Sequence, residues 1–144
     1  MVQHVSADDG AAAIEFAILL PVFLVLTLAA IDFGLSFRQQ VILRGAASNA
    51  ASYAAVYPCD TANIEQAAST ELQGVSPLRP DIGTPQISYL SDSGAAAADC
   101  TSATQVEVKV SAPYTLLSGS FLGVFGVPGS VSVSGQETIR IEGR

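Results

Sequence analysis

Residues 10–32 read GAAAIEFAILLPVFLVLTLAAID, and this stretch decides the fold. Sixteen residues from Phe16 to Ile31 pass without a charge, and from Ala11 to Ile31 the sole ion is Glu15. A bilayer-spanning helix needs about 20 predominantly apolar residues. Three readings compete. A cleaved secretory signal has a basic front and a short apolar core. Here the front is MVQHVSADD, without Lys or Arg, and the apolar run is long, although Ala29 and Ala30 could serve a signal peptidase. A buried helix of a soluble domain needs apolar surface on all sides, and the rest of the chain offers too little. An uncleaved membrane span over residues 11–32 is the favoured reading. Pro21 lies inside it, where a soluble helix would lose roughly 3 kcal/mol. Membrane helices tolerate such a proline when neighbours satisfy the freed carbonyl, so a kink is expected near Ala17–Pro21.

Composition agrees with an anchor carrying a modest head. The chain has 144 residues, 49% hydrophobic and 13% charged, with no Trp. Soluble domains carry about 25% charged residues. One domain is expected from the length. The net charge is −7, and the six basic residues Arg38, Arg44, Arg79, Lys109, Arg140 and Arg144 are scattered. Phosphate backbones need clustered Lys and Arg, so nucleic acid is not an expected partner.

Working outward, the helix does not end at Ile31. No proline interrupts Asp32–Tyr57, and Pro58 stops it. Leu43, Ala46, Ala47, Ala50, Ala54 and Tyr57 form one stripe at helical spacing. Residues 33–57 therefore read as an amphipathic continuation, and the whole helix, about 47 residues from Ala11, would span about 70 Å at 1.5 Å per residue. A second helix is expected over Thr61–Gln73, capped by Asp60 or Thr61, stopped by Gly74, with Ile64, Ala67, Ala68 and Leu72 inward.

The remainder reads as strand. Gln86–Leu90 is a short one. Gln105–Val110 alternates, with Val106, Val108 and Val110 opposite Glu107 and Lys109. Ser130–Glu142 alternates with Val131, Val133, Ile139 and Ile141 inward, and Gly135 and Glu137 interrupt that face, which predicts a bulge. The last two strands can pair antiparallel. Their connection is strangely apolar: it reads first as a flap covering the sheet, and second as an exposed partner surface at Phe121, Leu122 and Phe125. The expected fold class is α+β and pilin-like. A long N-terminal helix, transmembrane then amphipathic, packs against a short second helix and a small antiparallel β-sheet. The head occupies residues 58–144. Its last four residues, IEGR, resemble a protease-recognition tag, although Ile139 and Ile141 also continue the alternation.

Cys59 and Cys100 are the two cysteines, and neither has metal-ligand spacing. A disulfide in an oxidising compartment is expected, against the alternative of two unrelated buried thiols. The positive-inside rule pulls the other way, because Arg38 and Arg44 both follow the span. The cysteines outweigh two arginines, so the head is expected on the periplasmic side. Catalysis is not expected. His4 is the only histidine, and no nucleophile elbow or phosphate loop occurs. No cofactor, metal or small-molecule substrate is implied.

Glu15 is the oddity, since a carboxylate in an apolar span costs about 2.5–3.5 kcal/mol on insertion scales. The bland alternative is a residue favoured by the helix N-terminus. Its spacing from Gly10 favours a specific role. Gly10, four small or apolar residues, then Glu15-Phe16 and a long apolar helix resemble the site read by prepilin peptidases. GAAAIEFAILLPVFLVL, then IDFG at 31–34, then RQQVILRGAASNAASYAA at 38–55, resemble the TadE family of tight-adherence (type IVc) pilus systems. The resemblance implies a minor pilin with a leader at residues 1–10, cut between Gly10 and Ala11, although prepilin leaders usually carry Lys or Arg and this one carries Asp8 and Asp9. It implies Glu15 pairing with the new Ala11 amine of a neighbouring subunit. Implied partners are other pilin subunits, the prepilin peptidase and inner-membrane lipid, with adhesion and biofilm formation as the outcome.

Overall fold

In the computed structural model, which describes residues 7–73, 83–119, 123, 126 and 128–143, helix α1 runs Ala7–Val56 as one 50-residue element. At 1.5 Å per residue it is about 75 Å long. It continues through Pro21 without interruption. It starts four residues earlier than expected and ends where Pro58 removes the next backbone donor. Residues 10–31 are exposed apart from half-buried Val25 and Leu28. A core helix would bury its apolar side, and this one does not. It is long and apolar enough to cross a membrane.

The second half of α1 is the spine of the head. Leu43, Ala46, Ala47, Ala50, Ala51 and Ala54 have no exposed surface. Methyl-sized side chains let backbones approach closely, and two elements use that. Helix α2, Thr61–Gln73, packs through Ile64, Ala68 and Leu72. Asp60 caps it by accepting from the Asn63 backbone N–H at 3.3 Å and from the Asn63 side chain at 2.7 Å. Gly74 lies outside the described residues. The stripe was expected to reach Tyr57, but that residue lies past the helix end and is exposed. Its ring stands 5.3 Å from Tyr53 instead.

The second element is an antiparallel sheet of order β1-β2-β3, made of β1 Gln86–Leu90, β2 Gln105–Thr115 and β3 Ser130–Arg140. Val106, Val108 and Val110 point onto α1 with no exposed surface. β2 runs five residues beyond the expected Val110, through Pro113. The reason is local. Gly83 N–H donates to the Ser111 carbonyl on the β1 side, and Leu116 N–H donates to the Gly129 carbonyl on the β3 side. Backbone direction alternates along a strand, so the Pro113 nitrogen faces the β1 side. β1 pairs β2 only as far as Lys109, so no ladder bond is lost there.

The expected bulge at Gly135 is absent. Pairing from Gln105↔Arg140 to Thr115↔Ser130 is unbroken, with Val110 opposite Gly135. The glycine answers to packing. A Cβ built on Gly135 would fall closer than 3.0 Å to the Leu43 carbonyl and the Arg44 nitrogen. Those atoms are backbone and cannot rotate away, so β3 lies directly on α1. Gly135→Ala should lower stability by about 1–3 kcal/mol through overpacking. A lower denaturant midpoint checks it, and an unchanged midpoint contradicts it. Val131, expected inward, is 46% exposed at the far end of β3.

Cys59 and Cys100 form a disulfide, with Cα atoms 5.3 Å apart across 41 residues. It ties the end of α1 to the loop before β2. Two further bonds fasten the same end. Tyr89 OH donates to the Pro58 carbonyl at 2.7 Å, and Glu142 N–H donates to the Ala55 carbonyl at 2.9 Å. Ile141 is 3% exposed, so the Ile of the terminal IEGR is part of the core, while Glu142 is exposed and contributes its backbone N–H. An Arg140–Asp92 ion pair at 2.9 Å lies at the surface. Exposed pairs contribute about 0–1 kcal/mol.

Candidate functional site

Two features of α1 carry chemistry. They sit at opposite ends of the apolar run.

The first is the Gly10–Phe16 element. Gly10, Ala11, Glu15 and Phe16 all lie on α1 and are all exposed. Gly10 and Glu15 are five residues apart, about 7.5 Å along the axis. The Gly10–Ala11 bond falls at the junction of the first turn and the second. The first four N–H groups of a helix have no partner within it, so Ala11 is the first residue whose N–H has an acceptor available, at Ala7. Among the described residues no side chain of the head covers the 11–16 stretch, which is exposed throughout. Phe121, Leu122 and Phe125, read first as part of a flap and second as a partner surface, lie outside the described residues.

The second feature is Asp32, in IDFG at 31–34. It is the first charge after the sixteen-residue run, and it is only 3% exposed. Its carboxylate meets four donors, all from the head. Oδ1 accepts from Leu117 N–H at 2.8 Å and Tyr114 OH at 3.2 Å. Oδ2 accepts from Ser118 N–H at 2.9 Å and from the Ser118 hydroxyl. Hydrogen bonds to ionised acceptors are roughly twice as strong as neutral ones. Burial, with the bond to Asp32 added, raises the Tyr114 phenol above its ordinary range, so it stays protonated as a donor. Asp32 thus fastens the segment after β2 to the helix where the apolar run ends. Nothing in the local sequence of IDFG reveals this role. Its partners lie 82–86 residues away.

At the opposite end of the head, exposed carboxylates cap loops. Asp99 is held at about 2, first by the Thr101 hydroxyl, then by Ser102. It shapes the turn that presents Cys100 to Cys59. Burial raises the Tyr89 phenol, which keeps the proton it donates to Pro58.

One apolar helix of membrane-spanning length continues without a break as the spine of a disulfide-closed α+β head, and it is a candidate single-helix anchor. The TadE-like protein family model matches residues 10–52, the segment holding both Glu15 and Asp32 and most of the Ala stripe. The chain is TadE-like over that helix, and the sheet and the disulfide lie beyond the matched residues. No curated protein and no solved structure gives a significant match.

Proposed function

We propose that this chain is a TadE-like minor pilin that takes part in assembling or priming Tad (type IVc) pili for adhesion and biofilm formation. The observation that carries the reading is the Gly10–Glu15–Phe16 spacing at the exposed end of one continuous helix, inside the segment that matches the TadE-like family. The helix sits in the bacterial inner membrane through residues 11–32, and the head faces the periplasm. The Cys59–Cys100 bridge supports that side, because disulfides persist in oxidising compartments. A prepilin peptidase cuts after Gly10, and Ala11 becomes the new N-terminus. Glu15 then pairs with the Ala11 amine of an adjacent subunit. Each charge is costly alone in lipid, and pairing makes both tolerable. The pair sets the axial stagger of subunits. No catalysis, metal or cofactor enters the proposal.

One observation favours a second reading, an uncleaved membrane-anchored scaffold. The ten leader residues contain no Lys or Arg. The two readings differ in the N-terminal residue of the membrane-bound protein.

The assembly role is tested with Glu15→Ala and Glu15→Leu. Both variants should insert and fold as the parent does, because Glu15 is exposed on α1 and no hydrogen bond or ion pair links it to the described residues of the head. Surface pili should be lost in both. Normal piliation in either variant sinks the pairing role.

A further inference from the structure

The two long strands give the head a direction. β2 runs toward the N-terminal end of α1 and β3 runs back, so the end of β2 at Thr115 and the start of β3 at Ser130 face the apolar span. The levels can be compared. Gly135 lies against Leu43 and Arg44. From Gly135 back to Ser130 is five strand residues, about 17 Å. From Arg44 back to Asp32 is twelve helix residues, about 18 Å. The end of the sheet is therefore level with Asp32, as the bonds from Tyr114, Leu117 and Ser118 require.

Four large apolar side chains at that level are open, beside the polar Ser36, Gln40 and Ser132. Phe33 is 73% exposed, Phe37 57%, Leu117 57% and Val131 46%. Phe33 and Phe37 are four apart and share a helix face. With Tyr114, Leu116 and Val131 they line a shallow groove between α1 and the sheet. The stretch 115–130 reads TLLSGSFLGVFGVPGS and holds no charged residue. Among the described residues at this depth, the carboxylate of Asp32 is turned inward and takes its donors from the head.

We propose that the membrane-proximal end of the head, with Leu117, Phe33, Phe37 and Val131 at its surface, sits in the interfacial layer of the leaflet where α1 leaves the bilayer. This rests on the reading that residues 11–32 span the membrane. The apolar stretch Ala11–Ile31 covers about 31 Å, one hydrocarbon core. The polar interfacial layer adds about 5–7 Å on each side. Phe33 and Phe37 lie about 3 and 9 Å beyond Ile31 along the helix, so Phe33 falls within that layer and Phe37 stands at its outer edge. Arg38 follows, exposed, where its guanidinium reaches headgroup phosphates. Lipid is the favoured occupant because the patch is continuous with the span. Leu117, Phe33, Phe37 and Val131 carry no charge, so their contact is apolar insertion, with Arg38 reaching the headgroups at its outer rim. The Asp32 clasp serves the same end: it takes a charge out of the contact and holds Leu117 at the surface.

The test uses the full chain in phosphatidylcholine vesicles, some lipids carrying a nitroxide near the headgroup end of the acyl chain. Single cysteines are introduced by Leu24→Cys, Phe37→Cys, Leu117→Cys and Ser48→Cys, each labelled with the fluorophore NBD while the native disulfide is retained. Leu24 marks the span, and Ser48 lies about 24 Å past Asp32. Labels at positions 24, 37 and 117 should lose most of their emission, and the label at 48 should keep it. If 24 is quenched while 37 and 117 are not, the proposal is overturned and the anchor stands. If 24 also keeps its emission, the anchor reading itself has failed, and the proposal with it. No other protein is present, so a protein partner for the patch would show as the first of these failures.

Discussion

Asp32→Ala should cost the head roughly 3–5 kcal/mol, the range for breaking a buried charged cluster by removing one side. The substitution leaves Tyr114 OH, Leu117 N–H, Ser118 N–H and the Ser118 hydroxyl without their acceptor. Each buried donor left unmet costs about 1–3 kcal/mol, and the terms do not add in full because water reaches the more open ones. Thermal unfolding of the detergent-solubilised chain, followed by near-ultraviolet circular dichroism of its tyrosines, should show a midpoint about 10 °C lower or more. Asp32→Asn keeps the shape and one acceptor oxygen but loses the charge. It should fall between wild type and Asp32→Ala. A midpoint for Asp32→Ala within a degree or two of wild type would show that the clasp does not hold the head.

Removing the disulfide by Cys59→Ser together with Cys100→Ser should cost about 4 kcal/mol. The bridge closes a loop across 41 residues. In the chain-entropy account that constraint on the unfolded chain is worth about 4 kcal/mol. Cys59 is exposed, so a thiol reductant reaches the bond. Reductant should lower the denaturant midpoint of the wild type to that of the double variant and leave the variant unmoved. A wild type indifferent to reductant, with the bond verified as broken, would contradict the estimate. The disulfide and Asp32 stand at opposite ends of the head, with about 36 Å of helix between them. Sites that far apart usually add within about 0.5 kcal/mol, so the combined variant should lose close to the sum.

What could be read from the sequence follows from how far apart the partners are. The apolar run, the Ala stripe, the Asp60 cap and the valine alternation of β2 are local patterns at helical or strand period, and each reappears in the fold. The Cys59–Cys100 pairing was legible because only two cysteines exist. Pro113 concealed the end of β2, since a proline reads as a break unless the neighbouring strand is known to stop at Gln86. Gly135 read as a bulge because a missing side chain on an inward face looks the same as a register slip. Only the α1 backbone behind it shows that the space is filled. Tyr57 fitted the stripe by spacing, but the helix ended one residue too soon to use it. Asp32 was the largest omission. Its importance lies wholly in contacts more than eighty residues away, and no local pattern announces them. It changes the reading of IDFG from a family mark to a joint between helix and head.

Glu15 remains the residue on which the assembly role depends, and its meaning turns on whether the chain is cut beside Gly10. The most direct measurement is the N-terminal residue of the membrane-bound protein isolated from cells with a functioning prepilin peptidase. The account predicts Ala11 as that residue, and an intact leader in a Gly10→Ala variant, which should run about ten residues heavier. Met1 on the wild-type membrane-bound chain, with identical migration of the variant, would contradict processing and leave an uncleaved anchored scaffold in its place.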